Sequence, residues 1–375
     1  MISTSIMLIL LALNLGPLQA AQQNRGFTAW VCQLCGCLPS PNANKAPALA
    51  MAVQPKDKDS KRATSGARAN FHAVVGVAQK KVKGEDRFMC LANPLADVCW
   101  IGVFDGHGER GHLPAECAQV AFTQMGKIKA ISLDAFKDTF SDVDKKCEKM
   151  PTAGTTASVV VIDQKQLVIA HVGDSRVVVA KKDEKQGVKV AFETKDHQIK
   201  NVFAAELLHS NDLFDELSEL KLHSVPKKLI SDQAEFDRLK RERARITGYR
   251  NDCLRLDGAV VCYRVLGDYY RFSSRSETFS KIRGSTCDPE IKIIPLDDSY
   301  KFVIAASDGV WDYVTSEEAI QWVEKQLNAG LRANAAAAKL LDLVSEKRKA
   351  NNRGSDDETV VIAVLVRDPN ELSKN

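Results

Sequence analysis

The chain has 375 residues, of which 45% are apolar, so it can bury a large core in one domain or in two smaller ones. Its 52 basic and 48 acidic side chains give a net charge of +4. This near balance argues against a protein organised around nucleic acid. The sequence also lacks zinc-finger spacing, internal repeats and any interleaving of aromatic with basic residues.

The first 20 residues form an apolar segment that differs from the rest of the chain. Residues 5–18 are almost entirely apolar, and LQA at 18–20 resembles a small-residue cleavage site. The segment is short for a membrane span, and residues 1–7 contain no Lys or Arg. We interpret it as a signal peptide, with an uncleaved anchor or an incorrectly assigned start as alternatives. A signal would direct the protein to the secretory pathway or an endomembrane, with membrane association through the N-terminus; otherwise the protein would be cytoplasmic.

Residues 21–68 are predicted to be a Cys-containing segment followed by a disordered linker. Cys32, Cys35 and Cys37 cluster there without an identifiable fourth zinc ligand. Residues 39–68 contain four prolines and the mixed-charge run KDKDSKR, which is typical of a solvated spacer. The other seven cysteines are scattered, which favours reduced thiols over a disulfide framework. The folded domain is predicted at 69–368, with a polar tail at 369–375.

Four apolar runs of strand length each carry a carboxylate at one end. If these strands lie side by side, their acidic ends can meet at one edge of the sheets. Carboxylates crowded in this way repel one another unless cations neutralise them. Because no Cys or His ligand accompanies them, the pattern predicts Mg²⁺ or Mn²⁺ rather than zinc. The runs and their carboxylates are 98–104 with Asp105, 166–172 with Asp174, 301–306 with Asp308, and 359–366 with Asp356.

The loop after the run 98–104 combines several chemically useful residues. Asp105 is a hard oxygen ligand, and the carbonyl of Gly106 can be another. Glycines at 106 and 108 let the backbone bend and approach an ion or a phosphate, and His107 can hold or deliver a proton near neutral pH. An Asp-Gly pair alone is a common turn. The repetition of acidic strand ends elsewhere in the chain favours a functional site instead.

The spacing of apolar residues predicts alternating strands and helices, and hairpin-like spacing favours largely antiparallel sheets. Residues 198–246 are rich in Leu, Glu, Lys and Arg, and are predicted to be a helical insertion. That insertion is interpreted either as a solvated cap or as a surface for a substrate or partner. Predicted strands lie at 71–78, 158–162, 167–172, 176–180 and 359–366, and predicted helices at 113–129, 133–150 and 333–349.

Eight short motifs are distributed over residues 71–367. They are ED at 85–86, VFDGHG at 103–108, GTTA at 154–157, VGDSR at 172–176, KDH at 195–197, RVLGD at 264–268, ASDGVWD at 306–312 and GSDDET at 354–359. In this order, they resemble the motifs of the metal-dependent serine/threonine protein phosphatases of type 2C. The resemblance implies an α+β fold, a two-sheet, mainly antiparallel β-sandwich flanked by helices, which agrees with the predicted elements.

The resemblance also implies a two-metal centre. Asp105 resembles the ligand that bridges both ions. Asp308 and Asp356 would complete the first ion, and Glu85 with the Gly106 carbonyl would complete the second. Two divalent ions about 3.5–4 Å apart can activate a water and stabilise an in-line phosphoryl displacement.

Further residues take catalytic or supporting roles by the same resemblance. Asp86 would orient the attacking water, and His107 would protonate the leaving seryl or threonyl oxygen. Asp174 and Asp312 resemble the ligands of a looser, third metal. Lys81 stands four residues before the Glu of the ED motif, where the family often has an arginine that binds phosphate.

Two departures from the family pattern affect these assignments. Lys81 can bind phosphate only as a point charge, without the bidentate fork of arginine, and Lys80 or Lys83 are alternative cations. The last motif reads Asp356-Asp357 where the family often has Asp-Asn. We assign the metal ligand to Asp356 because of its distance from Thr359.

The sequence therefore predicts an enzyme that hydrolyses phosphoserine and phosphothreonine in proteins. Mg²⁺ or Mn²⁺ would be its cofactor, phosphorylated proteins its substrates, and a monomer its expected state. One alternative is a pseudophosphatase that binds a kinase or a phosphoprotein without turnover, although every expected carboxylate is present. Another is a Ca²⁺-binding module, although EF-hand spacing is absent.

Overall fold

The computed structural model of the chain describes its central part. Described are residues 71–93, 98–127, 132–199, 218–221, 230, 232–248, 254–270, 278–351, 354 and 356–367. The predicted N-terminal signal or anchor, the Cys-containing segment, the linker and the C-terminal tail lie outside these residues. Among the helices of the described residues, none is long and apolar enough to cross a membrane.

Strands and helices are numbered here in chain order within the described residues. The strands are β1 (His72–Lys80), β2 (Arg87–Asn93), β3 (Val98–Phe104), β4 (Gly106–Gly108), β5 (Ala153–Thr155), β6 (Ala157–Ile162), β7 (Gln166–Val172), β8 (Arg176–Asp183), β9 (Gly187–Glu193), β10 (Ser218–Lys221), β11 (Arg245–Gly248), β12 (Arg255–Leu256), β13 (Leu266–Gly267), β14 (Tyr269–Tyr270), β15 (Ser280–Lys281), β16 (Glu290–Pro295), β17 (Tyr300–Ala306) and β18 (Glu358–Val366). The helices are α1 (His112–Met125), α2 (Leu133–Cys147), α3 (Gln233–Arg241), α4 (Asp308–Trp311), α5 (Ser316–Asn328) and α6 (Ala333–Ala350).

Two five-stranded antiparallel sheets form a sandwich. Their strand orders are β1-β18-β17-β8-β9 and β16-β7-β6-β3-β2. Side chains alternate between the faces of each strand, so in β8 Val177 and Val179 belong to the core between the sheets, whereas Val178 and Ala180 belong to the core on the outer face. The inner core also contains Ile101 of β3, which shows that the two sheets share it.

A pair of helices covers each outer face of the sandwich. Helices α5 and α6 bury Ile320 and Leu340 against the first sheet. Helices α1 and α2 bury Phe122 and Phe136 against the second sheet, where Trp100 stacks on Phe136 at a centroid distance of 5.6 Å. The predicted α+β class, with a mainly antiparallel β-sandwich flanked by helices, is confirmed.

The predicted helical insertion at 198–246 differs from the structure. Its described residues contain a single helix, α3, whereas β10 and β11 pair with each other and β12 extends the same small sheet. The heptad-like spacing at 236–246 does not continue as a helix because Arg243 adopts a positive φ of 55°. After this turn, Ile246 pairs with Leu256 and is buried in a separate small core.

Strand order explains why the acidic strand ends meet. In the first sheet β17 and β18 are neighbours, so the end of one and the start of the other lie at the same edge. In the second sheet β3 and β7 flank β6 and end at that sheet's corresponding edge. The carboxylates that follow or precede these strands therefore converge at one edge of the sandwich.

Candidate active site

An acidic cavity of about 300 Å³ opens at this edge of the sandwich. Its wall contains carboxylates from four strand ends, the loop of residues 105–108 (the DGHG loop) and part of the segment 255–270. Gly106, His107, Lys83 and Arg255 are also part of this wall. The carboxylates that line it belong to Glu85, Asp105, Asp174, Asp308, Asp356 and Asp357. The structure thus brings together most of the residues that the sequence selected.

Burial and the proximity of other carboxylates raise the pKa values of three aspartates of the cavity. Burial and the neighbouring charges of Asp174 and Asp312 raise the pKa of Asp308 to about 8. Burial and the charges of Asp308 and Asp86 hold the pKa of Asp105 well above its usual range. Burial also raises the pKa of Asp174. Crowded carboxylates of this kind are stabilised by cations, and a donor set made only of oxygens fits Mg²⁺ or Mn²⁺.

Asp357, which had no role in the sequence-based assignment, holds the loop that carries Glu85. Its two carboxylate oxygens accept hydrogen bonds from five consecutive backbone amides, those of residues 82–86. Burial opposes its charge, but these amides lower the pKa of Asp357. Because Asp356 is the next residue, one short segment both supplies a cavity carboxylate and fixes the opposite loop.

Asp86 lies behind the cavity wall rather than on it. It is 1% exposed, and its Oδ2 accepts hydrogen bonds from Ser307 Oγ at 2.9 Å and Thr359 Oγ1 at 2.7 Å. Its Oδ1 is buried without a hydrogen-bond partner among the described residues. Burial raises the pKa of Asp86 to about 6. The side chain is thus fixed beside Asp105, with one oxygen left to accept a further hydrogen bond.

His107 is held by the carboxylate of Asp268, which the sequence analysis named only as the last residue of the RVLGD motif. Its Nε2 lies 3.0 and 3.1 Å from the two oxygens of Asp268, which is fully buried. Burial alone would lower the pKa of His107, but the charge of Asp268 and its hydrogen bond raise it. Gly154 makes room for this pair, because a Cβ there would lie 2.6 Å from Nε2.

Comparison with known proteins identifies the family. The model of the family described as protein phosphatase 2C matches residues 101–202 and 225–353, more than half of the chain. The chain belongs to the protein phosphatase 2C family.

Curated relatives agree with this assignment. "Probable protein phosphatase 2C 21" from Arabidopsis thaliana is 26% identical over 59% of this chain and 50% of its own length. "Probable protein phosphatase 2C 59" from Oryza sativa subsp. japonica is 30% identical over 67% of this chain and 63% of its own length. The chain thus spans about half to two-thirds of the length of these relatives.

Solved structures share the fold. A sex-determining protein from C. elegans superposes with a TM-score of 0.54 at 22% identity, covering 81% of this chain and 67% of that protein. A serine-threonine phosphatase 2C from Toxoplasma gondii gives a TM-score of 0.52 at 15% identity, covering 85% of this chain and 99% of that one. At these identities the likeness concerns the fold alone.

The lysine that lines the cavity is not the one chosen from the family pattern. Lys81 is exposed and does not line the cavity. Lys83 does, and its Nζ lies 3.0 Å from Asp356. Burial opposes the charge of Lys83, but this carboxylate raises its pKa. Lys83 belongs to the loop of residues 82–86 that Asp357 holds, and this contact between distant parts of the chain cannot be read from the spacing to the ED motif.

Asp312, expected beside Asp174 at a third metal, is exposed and lines a different cavity of about 420 Å³. It follows the short helix α4 and therefore lies one turn away from Asp308. Its charge still contributes to the raised pKa of Asp308. The structure does not bring Asp312 and Asp174 to one cavity.

Proposed function

We propose that this chain hydrolyses phosphoserine and phosphothreonine in proteins, with two divalent cations in the acidic cavity. One observation carries the proposal: six carboxylates from distant parts of the sequence line one cavity together with a histidine that a further carboxylate holds. Family membership supports the same reaction class.

The cavity supplies oxygen ligands for both cations. Asp105, on which the charges of Asp308, Asp86 and Asp174 all act, would bridge them. Asp308 and Asp356 would hold one ion, and Glu85 with the Gly106 carbonyl would hold the other. When bound, these ions supply a nucleophilic water and neutralise charge on the phosphoryl group. Asp174 lies beside Asp308 and is available to a further, weaker ion.

His107 is suited to protonate the leaving alkoxide. Its Nε2 is held by Asp268, so a protonated His107 carries its transferable proton on Nδ1. The raised pKa keeps a larger share of the imidazole protonated near neutral pH. After transfer, Nε2–H still donates to Asp268, which fixes the neutral tautomer and the orientation of the ring.

Two further residues act on the substrate and the water. Lys83 presents its ammonium at the cavity wall, where it can attract the phosphate as a point charge. Asp86 offers the unpartnered Oδ1 as an acceptor for a water beside Asp105. The assignment of Lys83 is tested by substitution.

The deciding experiment is hydrolysis of a phosphothreonine peptide by the full chain. We expect turnover with Mn²⁺ or Mg²⁺, loss of turnover with a chelator, and a loss of several orders of magnitude in Asp105→Asn and Asp308→Asn. Asp134→Asn, an exposed position in the first turn of α2, is the matched control. Metal-dependent peptide binding without phosphate release would instead identify a pseudophosphatase.

A further inference from the structure

Two histidines and a glutamate form a second group of metal-ligand side chains. His171 in β7 and His197 after β9 are each 2% exposed, and the Glu290 side chain at the start of β16 is 46% exposed. One donor atom from each residue lies within 4.8 Å of the others. None of the three lines the acidic cavity.

The donor atoms are close to the spacing that a zinc ion needs. Oε2 of Glu290 lies 3.3 Å from Nε2 of His197 and 3.9 Å from Nε2 of His171. Ligands of a tetrahedral zinc ion with bonds of about 2.0–2.1 Å are roughly 3.3 Å apart. The two imidazoles are stacked, with centroids 4.3 Å apart and 8° between their planes. Their lone pairs therefore run side by side, and one ring must rotate about Cβ–Cγ to share an ion.

The chemical state of the two histidines suits a metal. Burial lowers the pKa of His197, and burial with the nearby His197 holds the pKa of His171 well below its usual range. The neutral imidazole that binds metals is therefore the form present at pH 7. Nε2 of His171 and Nδ1 of both rings are buried without hydrogen-bond partners among the described residues. Buried polar atoms are nearly always paired in native proteins, so an ion at Nε2 would satisfy one of these orphans.

Arg264 is the cation that opposes an ion here, since its charge lowers the pKa of both histidines. Its guanidinium is already bound by the Glu235 carboxylate and donates to the carbonyl of Asp288. Two imidazoles with one carboxylate favour zinc and related transition metals, whereas Mg²⁺ prefers a set of oxygens. The group therefore differs in selectivity from the acidic cavity.

We propose that His171, His197 and Glu290 bind Zn²⁺ at a site separate from the acidic cavity, with the remaining coordination position open to water on the side of the exposed Glu290. The three ligands come from β7, the segment after β9, and β16. A bound ion would tie these segments together, and β7 leads directly to Asp174 in the cavity. The site does not depend on phosphatase activity.

Zinc titration of the full chain in excess Mg²⁺ tests this proposal, because excess Mg²⁺ competes with zinc for the oxygen ligands of the acidic cavity. We expect one tightly bound zinc per chain, a rise in Tm, and visible absorption bands of tetrahedral Co²⁺ when cobalt replaces zinc. His171→Gln and Glu290→Gln should weaken zinc binding at least about 10-fold, since removing even an outer hydrogen-bond partner costs 10–100-fold. His72→Gln and Glu184→Gln, at partly exposed and exposed positions, should leave it unchanged.

Two results would overturn the zinc site. One is the absence of zinc binding in excess Mg²⁺ by protein with a native circular dichroism spectrum. The other is zinc binding that His171→Gln and Glu290→Gln leave at the wild-type affinity. Because Glu290 is half-exposed, the Glu290→Gln variant should fold even if a variant of a buried histidine does not. In that case the zinc affinity of Glu290→Gln alone decides between the two outcomes. Neither readout measures phosphatase activity, so failure of the zinc proposal can be distinguished from failure of the proposed function.

Discussion

His107 and His197 each lie against a carboxylate, yet their pKa values shift in opposite directions. Burial lowers the pKa of both imidazoles. Around His107 the buried Asp268 and the cavity carboxylates outweigh burial. His197 faces a half-exposed glutamate with the charge of Arg264 nearby, and burial prevails. The same residue type is thus suited to the proposed role of proton donor at one place and to the proposed role of neutral ligand at the other.

The pair His107–Asp268 should act as a unit in catalysis. His107→Gln should lower kcat for a phosphopeptide by about 10²–10⁴-fold, the usual contribution of a general acid. Asp268→Asn keeps the shape but removes the charge, and should lower kcat about 10–100-fold with little change in KM. The double variant should be no slower than His107→Gln, because coupled residues are not additive.

An activated aryl phosphate provides the control for this pair. Its leaving group departs without a proton, so both variants should lose less activity on it than on the phosphopeptide. Equal losses on the two substrates would mean that His107 only shapes the DGHG loop.

The structure and the family pattern assign the phosphate contact to different lysines, Lys83 and Lys81, and substitution of each lysine distinguishes the two assignments. Lys83→Ala should raise KM for a phosphopeptide about two- to fivefold at saturating Mn²⁺, because a solvent-accessible charge pair contributes at most about 1 kcal/mol. Lys81→Ala, two residues away and exposed, is the matched control and should leave KM unchanged. The reverse pattern would return the phosphate contact to Lys81.

At the scale of elements, the segment that precedes β18 organises the cavity through Asp357. Asp357→Ala would leave the five amides of residues 82–86 without their acceptor. We expect a loss of about 2–4 kcal/mol in the free energy of unfolding and a roughly tenfold weaker affinity for Mn²⁺, because Glu85 is no longer held in place. Urea unfolding and calorimetric titration measure the two effects.

Asp183→Ala is the matched control for this prediction. Asp183 also accepts hydrogen bonds from two backbone amides, those of Lys185 and Gln186, and pairs with Lys189, but it does not line the cavity. Its substitution should leave Mn²⁺ affinity unchanged and should lower stability less than Asp357→Ala does. Unchanged Mn²⁺ affinity in Asp357→Ala would show that the 82–86 loop keeps its shape without this anchor.

The sequence predicted site residues correctly where an acidic residue stands at the end of a predicted strand. The placement of Asp105, Asp308 and Asp356 follows from apolar runs that stop at a carboxylate, and antiparallel pairing then brings those ends together. Asp357 and Asp268 could not be assigned in the same way. Their partners are about 270 and 161 positions away in the chain, and nothing local distinguishes an aspartate that binds an ion from one that accepts amide hydrogen bonds.

Two predictions made from local sequence patterns differ from the structure. The residues at 236–246 have a helical spacing, but the positive φ of Arg243 ends the helix and starts a strand. Lys83 rather than Lys81 lines the cavity, in a loop held by the distant Asp357. Neither the turn at Arg243 nor this long-range contact changes the local hydrophobic pattern on which sequence reasoning relies.

At the scale of the whole molecule, the acidic cavity makes stability depend on pH and on metal together. In metal-free protein the pKa of Asp308 is raised to about 8 and that of Asp86 to about 6, against about 3.9 in the unfolded chain. The folded state therefore binds more protons than the unfolded state between these values. This stabilisation is present at low pH and is lost as pH rises through the folded pKa.

We therefore expect the free energy of unfolding of chelator-treated protein to fall as pH rises from 6.5 to 8, with a limiting slope of about 1.4 kcal/mol per pH unit for each proton released. Below pH 6.5, the lowered pKa values of His171 and His197 act in the opposite direction and should flatten the curve. Saturating Mn²⁺ should remove the slope between pH 6.5 and 8, because the cation then neutralises the carboxylates. Asp308→Asn should reduce that slope without Mn²⁺. Urea unfolding at pH 6.5, 7.25 and 8 measures it, and a flat or rising curve in chelator would mean that the cavity carboxylates are ionised without a cation.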